Sequence, residues 1–287
     1  MRPIATGTPQ NCPTPGTLST TRIELPVDVP IETSAASDWS LRPEDPHWPL
    51  VWLTLLSQLA VGEALVAHTT GQRVAGAVLA AAALMGALGH LGRPIAAHKA
   101  LRNLRRSWLS REVALLSAFA LLAAVATLVP VLAPGVALVG LAGVYASARL
   151  YVVPGRPAWN SPLTIVRFFA TAVALGAAAA GPLGVAAAGL LVALAAWVAN
   201  LARLARRGDR CGLGSVRLEL VRFRPWVGLR LATALLAVGV AAARGPRVAV
   251  FVAAAVSEIV GRWLFYVTVV PLNMPGAFWR GAAGSHR

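Results

Sequence analysis

The run VAVFVAAAVSEIVGRWLFYVTVV at residues 248–270 carries only two charges, Glu258 and Arg262, in an otherwise apolar stretch. At about 1.5 Å per residue, a helix of this length crosses a hydrocarbon core of roughly 30 Å. No apolar/polar alternation runs through it. Backbone groups in lipid must pair internally, so the segment reads as a membrane-spanning helix and not as a barrel strand. Working back toward the start, similar stretches recur at 50–70, 74–90, 113–132, 135–153, 165–180, 183–204 and 227–243. With 248–270 they make eight expected spans, an all-α polytopic bundle. The fifth is rich in Ala and Gly (ATAVALGAAAAG), a composition that favours close helix packing over lipid partition.

Composition agrees. Hydrophobic residues make up 57% of the 287 and charged residues 13%, so the apolar excess has to face lipid. Residues 1–46 are polar and rich in Pro and Thr, and hold Glu24, Asp28, Glu32, Asp38, Glu44 and Asp45, six of the 11 acidic residues. Such a segment buries too little apolar area to offset the entropy of ordering and reads as an extended tail. The membrane domain is expected over 47–279, with a short tail at 280–287. The N-terminus has no apolar core of signal-peptide length, so no cleaved export signal is expected.

The net charge of +15 could suggest nucleic acid, but the basic residues sit in short stretches between spans. Arg93, Lys99, Arg102, Arg105, Arg106 and Arg111 follow span two, and Arg206, Arg207, Arg210, Arg217, Arg222 and Arg224 follow span six. The opposite side has Arg73, Arg244 and Arg247. The positive-inside rule then puts both termini in the cytoplasm, and the same basic surface suits an acidic partner subunit. Nucleic acid is not an expected partner. Cys12 and Cys211 stand apart without a CxxC, so neither a metal site nor a disulfide framework is indicated.

An ionisable side chain at a span centre costs about 2.5–3.5 kcal/mol on insertion scales and so needs a partner or a function. Glu258 and Arg262, four apart on one helical face, can neutralise each other, either to fix packing or to serve a site. His90 closes span two and Glu112 opens span three near the same membrane face. A His or carboxylate there can take a proton from a quinol hydroxyl as general base. The plainer alternatives are an interfacial His bonded to backbone and a carboxylate at a helix N-terminus. Glu63 and His68 in span one are packing or channel-lining candidates. Arg149, Arg167 and Arg230, just inside span ends, are expected to snorkel. A bis-His haem needs two inward histidines at one depth. His68 and His90 are expected near opposite faces, so no haem or metal is expected in this chain. Trp48, Trp52, Trp108, Trp159, Trp226, Trp263 and Trp279 fit interfacial belts.

HWPLVWLTLLSQLAVG at 47–62, HLGRPIAAHKALRNLRRSWLSREV at 90–113, ARLYVVPGRPAWNSP at 148–162 and SEIVGRWLFYVTVVPLNMPGAF at 257–278 together resemble the membrane-anchor subunit of dimethyl sulfoxide reductase, the DmsC family. The resemblance implies an eight-helix, haem-free anchor that oxidises menaquinol. Electrons would pass to an iron–sulfur subunit and then to a molybdopterin catalytic subunit. It also implies that His90 and Glu112 bind quinol, with Arg149, Glu258 and Arg262 around or supporting the same site. Membrane lipid is the remaining expected partner. Rival readings are an anchor of the NrfD or polysulfide reductase type and a small secondary transporter. LSTTRIELP at 18–26 resembles the tail of an iron–sulfur subunit, so the extension is expected to lie along that partner. Deleting residues 1–40 should weaken complex assembly on size-exclusion chromatography, and an unchanged assembly would count against that placement.

Overall fold

The structure is a computed structural model and describes residue 41, residues 43–89 and residues 101–271. Among the described residues of its compact unit Pro43–Leu272 the regular elements are all helices. The long helices are α1 (Trp48–Val66), α2 (Thr70–Gly89), α3 (Trp108–Ala126), α4 (Ala133–Tyr151), α5 (Pro162–Ala180) and α6 (Leu183–Arg207). A short α7 (Arg210–Arg217) continues as a π-helical turn at Leu218–Arg222, and α8 (Arg224–Ala242) and α9 (Arg247–Val267) complete the bundle. Seven helices are long and apolar enough to cross a membrane: α1, α3, α4 with its 3-10 lead-in from Pro130, α5, α6, α8 and α9. The chain is therefore a polytopic membrane bundle. Helix α2, 20 residues long, occupies the place of the expected second span.

Helix ends follow local chemistry. Ser107 and Ser161 cap α3 and α5 by accepting from the N–H groups of Ser110 and Leu163, each at 3.2 Å. Proline stands in the first turn of α1, α4, α5 and α8, where its missing donor costs nothing. Gly208, at φ 67°, ends α6 in the left-handed region, and Asp209 then caps α7.

The helices close into two four-membered rings. In the first, α1 packs on α2, α2 on α3, α3 on α4 and α4 back on α1; in the second, α5, α6, α8 and α9 do the same. The rings join along a seam where α1 meets α5 and α9 and α4 meets α5. Small residues make this seam possible. A Cβ on Gly62 of α1 would run into the Ala172 carbonyl of α5, and one on Gly176 would run into the backbone of Gly62. The Ala-rich fifth span thus lies in the middle of the molecule, with Ala172, Ala174, Ala177 and Ala178 all buried.

One face gathers the chain's crossings. The Glu44 N–H donates to the Val267 carbonyl at 3.1 Å, tying the entry to α1 to the end of α9. On this face the 152–161 connection is pinned to α6, with Asn200 donating to Ala158 O at 2.9 Å and Arg203 to Pro157 O at 2.7 Å. The α7 segment is pinned by the Val270 N–H donating to Ser215 Oγ at 3.0 Å. On the opposite face Arg247 is consumed in capping α5, donating to the carbonyls of Ala177, Ala178 and Gly181. Replacing Gly62 or Gly176 by Val should force the rings apart, at a cost of about 3 kcal/mol or more. Thermal unfolding of the detergent-solubilised protein checks this, with the exposed Gly135→Val as control.

Candidate functional site

The seam between the rings is polar where it meets the arginine-rich face. There α9 presents Glu258, Arg262 and Tyr266 at successive four-residue steps, so they line one side of the helix over about 12 Å. All three are buried, Glu258 and Arg262 at 4% and 5% exposure. Arg262 crosses the seam. Its Nη2 donates to Gln58 Oε1 of α1 at 2.7 Å, and its guanidinium lies 3.9 Å from the centre of the Phe168 ring of α5. One turn on, the hydroxyls of Tyr266 and Tyr151 of α4 meet at 2.6 Å, a second bond across the seam. Tyr151 stands edge-on to Trp159 and Phe265, and the Trp159 indole donates to the Phe265 carbonyl at 2.7 Å.

Glu112 lies in the second turn of α3, 4% exposed, beside Ser147 of α4, one turn before Tyr151 on that helix. Its Oε1 has no hydrogen-bond partner among the described residues, nor has Ser147 Oγ. A buried acceptor in this condition is costly unless something else fills it. Arg149, half-buried, lies 5.2 Å from the Trp108 ring at the start of the same helix, and Arg111 lies 4.3 Å from it. Glu112 therefore stands below a cationic rim.

Several expectations change. His90 lies outside the described residues. Glu258 and Arg262 share a face but form no direct ion pair among the described residues. Arg262 is held by Gln58, while Glu258 Oε2 lies 2.5 Å from Thr171 Oγ1 of α5. Arg230 does not snorkel. It is fully buried, with its guanidinium 4.6 Å from the Trp197 ring, because Gly261 of α9 leaves the space that the guanidinium fills. Arg167 is half-buried and donates to the Gly261 carbonyl at 3.4 Å. His68 lies beyond α1, exposed, where Gln72 accepts from its backbone N–H. Trp159 belongs to the buried aromatic group as well as to the interface.

Gln58, Thr171, Tyr151, Tyr266, Trp197 and Glu219 were not singled out as site residues in the sequence. Glu219 sits on the π-helical turn and accepts from the Trp197 indole at 2.6 Å. The available signal was a polar residue in each apolar run. Glu63 is buried on α1 near the opposite face, where Gln72, Arg73 and Gly76 help line a cavity of about 20 Å³, room for one water. Away from the membrane spans, partial burial and the neighbouring Asp209 raise the Cys211 thiol above its ordinary range.

A helical bundle that places ionisable groups of five of its membrane helices around one seam, with open acceptors under a cationic face, is an integral membrane protein built around a buried polar site. The family profile described as "DMSO reductase anchor subunit (DmsC)" matches residues 44–206, more than half of the chain, and the chain belongs to this family. It is 31% identical over 150 residues to the C subunit of the anaerobic dimethyl sulfoxide reductase of Haemophilus influenzae, a match covering 44% of this chain and 54% of that protein. The chain thus spans about half the length of the curated relative it matches. Replacing Gln58 by Leu should leave the Arg262 donor bare and lower stability by about 1–3 kcal/mol. Chemical unfolding in detergent measures it; a variant as stable as the parent would show that Gln58 does not hold Arg262 in place.

Proposed function

We propose that this chain is the quinol-oxidising membrane anchor of a DMSO reductase-like molybdenum oxidoreductase complex. The observation that carries the reading is the open Glu112 acceptor, buried beside Ser147 beneath the arginine-rich face. Oxidising a quinol releases two protons with two electrons, and the hydroxyl has to lose its proton to a nearby base. The donor set fits. Glu112 Oε1 would accept the proton, Ser147 and the tyrosine pair would orient the ring oxygens, and Arg149 would hold the rim through Trp108. His90 would be the second ring-oxygen ligand. Arg262 and Glu258 support the site from α9.

The electrons would leave to an iron–sulfur subunit docked on the arginine-rich face and reach a molybdopterin catalytic subunit, and the menaquinone pool is the source the family suggests. The seven arginines at 105, 106, 111, 206, 207, 222 and 224 suit both an acidic partner and anionic lipid. By the positive-inside rule this face is cytoplasmic in the bacterial inner membrane, and eight spans bring both ends of the membrane domain to it.

The test uses the assembled complex in membranes. Glu112→Gln and His90→Ala should each cut menaquinol oxidation by about a hundredfold, the low end of what a positioned proton acceptor contributes. Reduction of the terminal acceptor by an artificial dye should stay at the parent rate. Normal quinol turnover in both variants would sink the assignment.

A further inference from the structure

The segment between α6 and α8 runs along the arginine-rich face as one amphipathic ridge, α7 followed by the π-helical turn. Gly212, Gly214, Ser215, Leu218 and Glu219 are buried on its inner side, while Leu213, Arg217, Leu220, Val221 and Arg222 are exposed on its outer side. The ridge is held at the level where α9 ends. The Val270 N–H donates to Ser215 Oγ at 3.0 Å, and Thr268 Oγ1 lies 3.4 Å from Glu219 Oε2. Since α9 crosses the hydrocarbon up to Val267, the ridge lies at the depth of the lipid headgroups.

Its outer side mixes two kinds of side chain. Val221 is 74% exposed, and with Leu213, Leu220 and Trp226 it forms an apolar surface that leads into the lipid-facing side of α8, where Leu229, Leu235 and Leu236 are exposed. Arg217, Arg222 and Arg224 stand exposed between them and make no side-chain hydrogen bond among the described residues. Other arginines of this face are engaged: Arg111 and Arg203 with backbone carbonyls, Arg207 with Asp209. Behind the corner the rings of Phe223, Trp263 and Trp226 follow one another with centres 5.0 and 5.3 Å apart, an aromatic backing at interfacial depth.

We propose that this corner, the outer side of α7 and the π-helical turn with the first turn of α8, is a binding site for an anionic phospholipid. The acyl chains lie against Val221 and the Leu229 side of α8, and the phosphate meets the guanidiniums of Arg217, Arg222 and Arg224. A guanidinium matches two phosphate oxygens at once, and an apolar surface set among cations is what the headgroup boundary of an anionic bilayer accepts. No carboxylate on the ridge competes, because Glu219 is buried and turned to the Trp197 indole. An acidic protein would also suit the arginines. The apolar side chains between them favour lipid, because they continue the surface of a membrane helix at headgroup depth. The site shares no residue with the quinol assignment, so the failure of one is distinguishable from the failure of the other.

Trp226 reports on the site. The full chain is reconstituted in vesicles of phosphatidylcholine and phosphatidylglycerol, with bromine on the acyl chains of one lipid or the other, and the quenching of Trp226 is the difference between the parent and Trp226→Phe. Brominated phosphatidylglycerol should quench Trp226 more than brominated phosphatidylcholine at equal content, and high salt should shrink the preference. An arginine near an anionic surface contributes about fivefold. Arg217→Gln, Arg222→Gln and Arg224→Gln together should therefore lower the preference by about tenfold or more. A control that removes the same charge, Arg102→Gln, Arg105→Gln and Arg106→Gln together, should keep it. A parent without preference, a preference indifferent to salt, or equal loss in corner variant and control would each overturn the proposal. So would a corner variant that keeps its lipid preference but no longer holds the partner subunits of the complex, a result that assigns the corner to protein. Should the corner variant fail to accumulate, the salt dependence of the parent decides.

Discussion

A guanidinium in hydrocarbon has five donors and no water, and the placing of Arg262 answers that constraint. It sits where α9 meets Gln58 of α1 and the Phe168 ring of α5. For both to reach it, α1 and α5 have to approach until their backbones touch, which only Gly62 and Gly176 permit. The apolar packing and the polar seam are thus one requirement seen from two sides. Without the glycine contact the arginine would face lipid. Without the arginine's partners the close approach would bury polar groups with nothing to bond.

The span positions were readable in the sequence because partition into lipid is a local property, summed over each run regardless of what it packs against. Each of the eight expected stretches overlaps a helix, seven of them long and apolar enough to cross a membrane, and the Ala-rich fifth is a packing helix at the centre. The partners of the charged residues were not readable in the same way. Gln58 and Arg262 are 204 positions apart, and Tyr151 and Tyr266 are 115 apart. Spacing on one helix shows which residues share a face, and for Glu258 and Arg262 that face was right and the pairing was not. Arg230 was misread for a related reason. Its snorkelling was argued from depth alone, whereas the space left by Gly261 on a neighbouring helix decides where the side chain goes.

The family resemblance and the bottom-up reading meet on Glu112 and separate on α9. Motif position marks Glu112 and, outside the described residues, His90. The geometry adds a tyrosine pair and a glutamine that join the first ring of helices to the second, and a threonine that ties α5 to α9 within the second. The π-helical turn adds Glu219, whose two oxygens engage Trp197 of α6 and Thr268 just past α9. At this turn the departure from regular helix coincides with a buried polar contact.

The two rings, welded by backbone contact in the apolar half of the seam and by Arg262 and the tyrosine pair in the polar half, have a mechanical consequence. A carrier that alternates its openings has to let one bundle rock against another, breaking and remaking whatever joins them in every cycle. In this molecule that hinge would tear an arginine from its partners in a medium offering no replacement, and would slide one glycine backbone off another. The domain is stiff at the place where a rocking machine must yield.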